Sequence, residues 1–198
     1  DEAEKLCHAL EATDSPTSIR INRNKIDAYE DVENIETSVP WCEEGIYLKE
    51  RPSFTFDPLL HAGCYYVQEA SSMYLAHLLK TYLGEEPIVA LDMCAAPGGK
   101  STLALSTLPE GSLLIANEVM RQRAQVLSEN LNKWGNPNHI VTNSYAEDFL
   151  PLGETFDVII CDAPCSGEGM FRKNEEAISQ WSTENVAVCA DRQDMILE

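Results

Sequence analysis

Three short stretches carry the side chains best able to do chemistry. The first is Cys94-Ala95-Ala96-Pro97-Gly98-Gly99-Lys100, which closes the apolar run Val89-Ala90-Leu91-Asp92. A buried strand that breaks at Pro-Gly-Gly and restarts as a helix delivers a tight loop onto a helix N-terminus. Glycines there let the backbone approach a ligand, and the unpaired N–H groups of the next turn (Ser101, Thr102, Leu103) face it. The loop has neither GxGxxG nor GxxxxGK[ST] spacing, which disfavours dinucleotides and triphosphates. Asp92, near the strand end, suits a ligand ammonium, so an amino-acid-bearing cofactor fits better. The competing reading is a tight strand-to-helix turn that holds no ligand.

The second stretch, Ser112-Leu113-Leu114-Ile115-Ala116-Asn117-Glu118, is an apolar run ending in a carboxylate 20 residues after Gly98. That is close to the spacing at which α/β nucleotide folds place an acid on ribose hydroxyls, which makes Glu118 the ribose candidate. The third runs from the buried-type strand Phe156 to Asp162 into Ala163-Pro164-Cys165-Ser166-Gly167-Glu168-Gly169. An acid, a Pro-Cys pair and a Gly-rich turn thus meet at the C-terminal edge of the same sheet, where open α/β sheets bind ligands.

These residues require a parallel sheet to position them. From residue 87 onward the pattern alternates, with strands near 88–94, 112–118, 138–143 and 156–162 and helices near 100–108, 120–134 and 175–190, which implies right-handed crossovers. Ahead of it, the pattern predicts a helix over Glu4 to Ala12, a short strand Ser18 to Asn22, an acidic loop or linker over 27–38, a strand Glu44 to Lys49 and a helix Gln68 to Leu83.

The chain has 198 residues, enough for one domain or a core with a small appendage, and seven cysteines without paired CxxC or Cys/His spacing. The expectation is a reduced, cytoplasmic protein with free thiols, no metal site, and neither membrane span nor secretory signal. The net charge of −19 argues against nucleic acid when taken alone. Basic residues do cluster, however, at Arg20, Arg23 and Lys25 and again at Arg172-Lys173, and such a local track can coexist with an acidic body. The plainer reading of these clusters is solvated surface charge.

CAAPGGK (94–100), ANE (116–118) and DAPCSGEGMFRK (162–173), in this order and spacing, closely resemble the NOL1/NOP2/Sun family of S-adenosylmethionine-dependent RNA cytosine-5 methyltransferases. The likeness is strongest to its bacterial branch that modifies 16S ribosomal RNA. It extends upstream to Ser18-Ile19-Arg20-Ile21-Asn22, Pro40-Trp41-Cys42-Glu43-Glu44-Gly45 and Tyr65 to Met73. The resemblance implies a Rossmann-like α/β methyltransferase domain over 67–198, preceded by a small α+β region of RNA-binding type over 1–66. In the family fold the first strand is central and the fourth lies beside it, leading to three more. Those three have no counterpart here, nor does the Thr-Cys motif whose cysteine attacks the base, so that nucleophile is expected beyond Glu198.

The implied cofactor is S-adenosylmethionine, contacted by Cys94 to Lys100, Glu118, Tyr145 and Asp162. Tyr145 stands where related sequences carry an aspartate on the adenine side; Asn143, Ser144 or Asp148 are substitutes for that contact, or the Tyr145 ring stacks on the adenine. The implied substrate is RNA, ribosomal or, alternatively, transfer RNA. Cytosine C5 is a poor nucleophile, so a thiolate first adds to C6, C5 takes the methyl group, and loss of the C5 proton expels the thiolate. A Pro-Cys cysteine is the attacking group in DNA enzymes of this chemistry, which singles out Cys165. In the RNA family that position instead assists product release. Asp162 matches the acid beside cofactor and base, and Lys100 the lysine near the reacting centre. Arg123 is either near the cofactor or on the helix surface, and Trp181 and Tyr66 are candidate stacking partners for a flipped base. Two other classes compete: a SAM-binding but catalytically incomplete module, and a SAM-dependent enzyme acting on a small molecule or protein.

Overall fold

In the computed structural model the described residues are 2–11, 16–26, 34–171 and 175–197. They divide into two compact units, one of Thr17–Asp162 and one that combines Asp1–Pro16 with Ala163–Glu198. The basic pair Arg172-Lys173 and residues 27–33 of the expected linker lie outside the described residues.

The larger unit opens with an antiparallel sheet of β1 (Thr17–Ile21), β2 (Ile35–Val39), β3 (Cys42–Leu48) and β4 (Tyr65–Val67), in the order β2-β3-β1-β4. β2 overturns the loop expected through residue 38. Its Ile35 and Val39 bracket polar residues, and an irregular register on β3 shifts between Ile35 and Thr37 and again between Ser38 and Val39. Such bulging erases the period of two that sequence reading looks for. Between β3 and β4 lies the short helix α2 (Pro58–His61), capped by the Asp57 carboxylate, which accepts from Leu59 N at 2.8 Å.

Helix α3 (Tyr74–Tyr82) then leads into the parallel sheet. It starts later than the predicted Gln68, because the Ala70 carbonyl is taken by the Trp41 indole N–H (2.7 Å) and by Met73 N (3.1 Å), which winds 70–73 into turns. The sheet comprises β5 (Val89–Asp92), β6 (Leu113–Asn117), β7 (His139–Thr142) and β8 (Val158–Ile160), ordered β7-β6-β5-β8 and parallel throughout. The first of these strands is central and the fourth is beside it, as the Rossmann-like methyltransferase topology requires. Helices α4 (Gly99–Thr107) and α5 (Arg121–Trp134) supply Leu103, Ala104, Leu127, Leu131 and Trp134 to a core shared with Ala90, Leu114 and Ala116. Burial of β5 on both faces explains its continuous apolar run.

The smaller unit contains α1 (Glu2–Glu11), a 3-10 turn at Glu168–Met170, α6 (Glu175–Gln180) and α7 (Thr183–Leu197). The single helix predicted for 175–190 is therefore two. Ser182 divides them by capping α7, its hydroxyl accepting from Asn185 N at 3.1 Å. Among the described residues no helix is long and apolar enough to cross a membrane.

β1 joins the antiparallel sheet to helices α4 and α5. Ile19 and Ile21 pack into the core of the antiparallel sheet with Ile46, Leu48 and Tyr65. Alternation then turns Ser18, Arg20 and Asn22 the other way, and all three are buried. Arg20 Nη2 donates to Thr102 Oγ1 (2.6 Å), Nε donates to Gln68 Oε1 (2.8 Å), and the guanidinium carbon sits 4.5 Å from the centre of the Trp134 ring. Asn22 Nδ2 donates to the carbonyls of Gly63 (3.0 Å) and Trp134 (2.7 Å), and Lys25 Nζ to those of Ala62 and Lys133 (both 2.6 Å). The proposed basic track Arg20-Arg23-Lys25 is thereby corrected. Arg20 is an interior anchor and Lys25 binds the Lys133 carbonyl in the last turn of α5, where a cation is favoured by the helix dipole.

Gly63 lets this joint close. Its φ is +71°, and a Cβ there would stand 2.2 Å from the Lys133 carbonyl oxygen, a backbone atom that cannot step aside. Gly63→Ala is expected to lower unfolding free energy by about 2–4 kcal/mol. Gly84→Ala, at a position with nothing within 4 Å, is expected to be nearly neutral. Parallel urea titrations of the two variants check the contrast.

Candidate active site

The loop from β5 to α4 is held from three sides. Met93 N donates to Ile160 O (2.9 Å), Ala95 N to Asn117 O (2.8 Å) and Gly98 N to Ala95 O (2.8 Å), and the Ala96-Pro97 peptide is cis. From α5, Arg123 Nη2 reaches Ala96 O and Asn130 Nδ2 reaches Pro97 O, both at 2.8 Å. Gly98 has φ +109°, and a Cβ there would meet Leu127 Cδ1 at 3.3 Å. The positive φ and the close approach of α5 both favour glycine at this position. The first i→i−4 bond of α4 runs from Thr102 N to Gly98 O at 2.8 Å, so the N–H groups of Gly99, Lys100 and Ser101 precede the ladder and are oriented out of the helix end.

Asp92 is wholly buried beneath this loop. Oδ2 accepts from Ser101 Oγ at 2.6 Å, while Oδ1 has no hydrogen-bond partner among the described residues. Burial pushes the carboxyl up to about 6, against the opposing pull of the Ser101 hydroxyl and Lys100. Cys94 is half-buried and its thiol is pushed up to about 11, first by burial and then by the neighbouring Cys161, Glu118 and Asp92, so it stays protonated near neutrality.

At the end of β6, Asn117 is a buried hub. Its Nδ2 donates to Met93 O (3.2 Å) and Ser144 O (3.0 Å), and its Oδ1 accepts from Ser144 N (3.1 Å) and Thr142 Oγ1 (2.9 Å). Glu118 follows, 3% exposed, with Oε1 accepting from Met120 N at 2.9 Å and Oε2 lying 3.2 Å from Arg123 Nη1. Arg123 thus bridges the Glu118 carboxylate and the Ala96 carbonyl. Tyr145 stands at the end of the segment after β7 with its ring 63% exposed, its N–H donating to Asp148 Oδ2 at 2.9 Å. Asn143 Nδ2 is committed to the carbonyls of Glu118 (2.7 Å) and Val119 (2.9 Å).

Lys100 Nζ pairs with Asp162 Oδ2 just beyond β8. Both line an open groove with Ser71, Ser72, Tyr74 and Cys161. The larger unit therefore gathers Cys94 to Lys100, Glu118 and Asp162 at the C-terminal ends of β5, β6 and β8. Cys165 belongs to the smaller unit, where it is exposed. In that unit the preceding Pro164 carbonyl accepts from Gln193 Nε2 at 2.8 Å, and Glu168 accepts from Ser166 Oγ (2.6 Å) and from the Trp181 indole N–H (2.7 Å). These two hydrogen bonds, that from Ser166 first, hold the Glu168 carboxyl below its ordinary value.

Sequence reading did not assign the loop-holding roles of Asn117 and Asn130, and left Arg123 divided between cofactor and surface. The string ANE contained Asn117, but nothing in a string shows that one amide ties the loop after β5 to the segment after β7. Tyr66, weighed as a stacking partner, is half-buried, its Cε1 3.4 Å from where a Gly99 Cβ would be. The Trp181 indole N–H is used within its own unit.

A parallel sheet ordered β7-β6-β5-β8, with a Pro-Gly-Gly loop after the central strand, has the fold of a SAM-dependent methyltransferase. Comparison narrows this class. Residues 77–198 match the family model described as 16S rRNA methyltransferase RsmB/F, and residues 1–70 match that for the N-terminal domain of 16S rRNA methyltransferase RsmF. The chain belongs to this RsmB/F family of bacterial 16S rRNA methyltransferases, within the NOL1/NOP2/Sun group. It is 39% identical over 165 residues to ribosomal RNA small subunit methyltransferase F of Pectobacterium atrosepticum, covering 80% of this chain and 34% of that protein. It is 37% identical over 194 residues to the protein of the same name from Aeromonas salmonicida, covering 91% and 40%. The chain thus spans two fifths or less of the length of these curated relatives. A methyltransferase homologue from Pyrococcus horikoshii superposes with a TM-score of 0.77 at 29% identity, over 100% of this chain and 63% of that one. NSun6 from the same organism, solved with SFG, superposes with a TM-score of 0.79 at 19% identity over 99% and 74%, a likeness of fold.

Because the Asp92 carboxyl is raised from 3.8 to about 6 in the folded state, folding is favoured by its proton. That contribution is complete below pH 4 and disappears as pH rises through about 6. Asp92→Asn, which stays neutral, is expected to gain about 2–3 kcal/mol on the wild type between pH 4 and pH 7. Denaturant titrations of both proteins across that range measure the difference, and a constant offset would contradict it.

Proposed function

We propose that the protein transfers a methyl group from S-adenosylmethionine to C5 of a cytosine in 16S ribosomal RNA. The observation that carries this reading is the convergence of loop 94–100, Glu118 and the Lys100–Asp162 pair on one edge of the parallel sheet. The names of the 39% and 37% identical relatives support ribosomal RNA as the substrate.

The donors present fit the cofactor. The amides of Gly99, Lys100 and Ser101 suit its carboxylate, the unpartnered Asp92 oxygen and Asp162 suit its ammonium, Glu118 suits the ribose diol, and the exposed Tyr145 ring suits the adenine face. Cys94 to Gly99 line the loop, with the Cys94 thiol kept neutral. Bound there, S-adenosylmethionine supplies an electrophilic methyl group. Lys100 holds the Asp162 carboxylate in place to accept a hydrogen bond from the cytosine amino edge as a thiolate adds to C6. The attacking thiolate comes from another cysteine, and Cys165 assists release by helping to expel it after C5 loses its proton. Residues 1–66 form the region contributing RNA contacts and 67–198 the methyltransferase domain, acting in the cytoplasm. RNA contact occurs through local surfaces, since the overall charge is −19.

Incubation of the full-length protein with methyl-labelled cofactor and small ribosomal subunits tests this. Label is expected in 16S RNA at a cytosine that resists bisulfite conversion. Cys165→Ala is expected to accumulate a protein–RNA adduct stable on a denaturing gel. Label in a small-molecule extract with none in RNA would overturn the substrate, and turnover of Cys165→Ala at the wild-type rate without adduct would overturn the release role.

A further inference from the structure

The motif Tyr65 to Met73 has no part in the chemistry above, yet it places a buried glutamine between β1 and the first residue of α4. The Gln68 backbone is fixed against β1, its N–H donating to Ser18 O (3.2 Å) and its carbonyl accepting from Ser18 Oγ (2.6 Å). Its side chain then spans a gap. Oε1 accepts from Arg20 Nε at 2.8 Å, and Nε2 donates to the Gly99 carbonyl at 3.1 Å. Arginine cannot accept a hydrogen bond, so the amide has one permitted orientation, oxygen to Arg20 and nitrogen to Gly99.

We propose that Gln68 is a positioning residue for the cofactor, so that the antiparallel sheet forms part of the cofactor site. The Gly99 carbonyl and the Lys100 N–H share one peptide plane and point in opposite directions. A donor fixed on the carbonyl therefore sets the direction of the Lys100 N–H, one of the three amides at the open end of α4. Arg20 Nη2 (3.4 Å) and Thr102 Oγ1 (3.1 Å) donate to the same carbonyl, and the Tyr66 ring lies against Gly99. Gln68 adds a second, shorter-bonded link between the buried cation and this peptide, beside the direct contact of Arg20 Nη2. Glutamate keeps the acceptor for Arg20 and removes the donor for Gly99; methionine keeps the volume and removes both.

The inference rests on the proposal that loop 94–100 binds S-adenosylmethionine, and the experiment separates the two. Titration calorimetry with S-adenosylhomocysteine is run on full-length wild type and Gln68→Glu, beside thermal unfolding and amide exchange over residues 95–101. Gln68→Glu retains its Arg20 contact, so its unfolding midpoint is expected to stay within about 3 °C of wild type. Its affinity is expected to fall about tenfold, the size of one hydrogen bond, with faster exchange at Lys100. If Gln68→Glu fails to fold, Gln68→Met must show the same loss of affinity. Affinity within twofold of wild type in a folded variant overturns the positioning role. A wild type that does not bind S-adenosylhomocysteine overturns the cofactor reading, and the positioning role with it.

Discussion

A guanidinium buried to 1% exposure, without a carboxylate within bonding distance among the described residues, is an expensive thing to fold around, and much of the larger unit is arranged to accommodate Arg20. Burial lowers its pKa to about 10, so it remains cationic at neutral pH and each N–H needs an acceptor. Those acceptors come from Gln68, Gly99 and Thr102, and its flat face is covered by Trp134. Arg20 lies on β1, and the residues meeting its demand lie on the segment after β4, in the first turn of α4 and at the last residue of α5. One side chain thus ties an antiparallel sheet to both helices that flank the central strand.

The loop at the end of β5 shows the same economy. Its carbonyls are held by Arg123 and Asn130 from α5 and its amides by Ile160 and Asn117 from the flanking strand ends. With those groups satisfied internally, the donors of the α4 N-terminus and one oxygen of Asp92 remain for something else. A buried carboxylate with an unpartnered oxygen is costly, and such cost is concentrated at sites that bind or react. Asp92 is also the residue that Ser101 holds against α4, so the destabilising group and the helix that would carry the cofactor are mechanically one piece.

Much of this was legible in the chain itself. The continuous apolar run of β5, its Pro-Gly-Gly ending, the carboxylate after β6 and the alternation of strand and helix follow from local rules: a two-sided buried strand has no polar period, and a glycine with positive φ marks a turn. These rules act over a few residues, so the sequence by itself determined the parallel sheet, the loop and the motif that reveals the family. It misplaced elements where distant groups intervene, as at β2, whose bulged pairing depends on β3, and at the start of α3, where the Trp41 indole takes a carbonyl the helix would have used.

Only the tertiary structure decided what Arg20, Lys25 and Gln68 do. Arg20 and Lys25 read as surface charge. In the fold, the partners of these groups lie up to 114 residues away in the chain, in the case of Arg20 and the Trp134 ring. Alternation along β1 states that Arg20 and Ile21 face opposite ways, but not that both faces are covered. A charge facing water and a charge enclosed between a sheet and two helices have the same local sequence. The difference is set by which surface packs against which, and that is a property of the assembled chain.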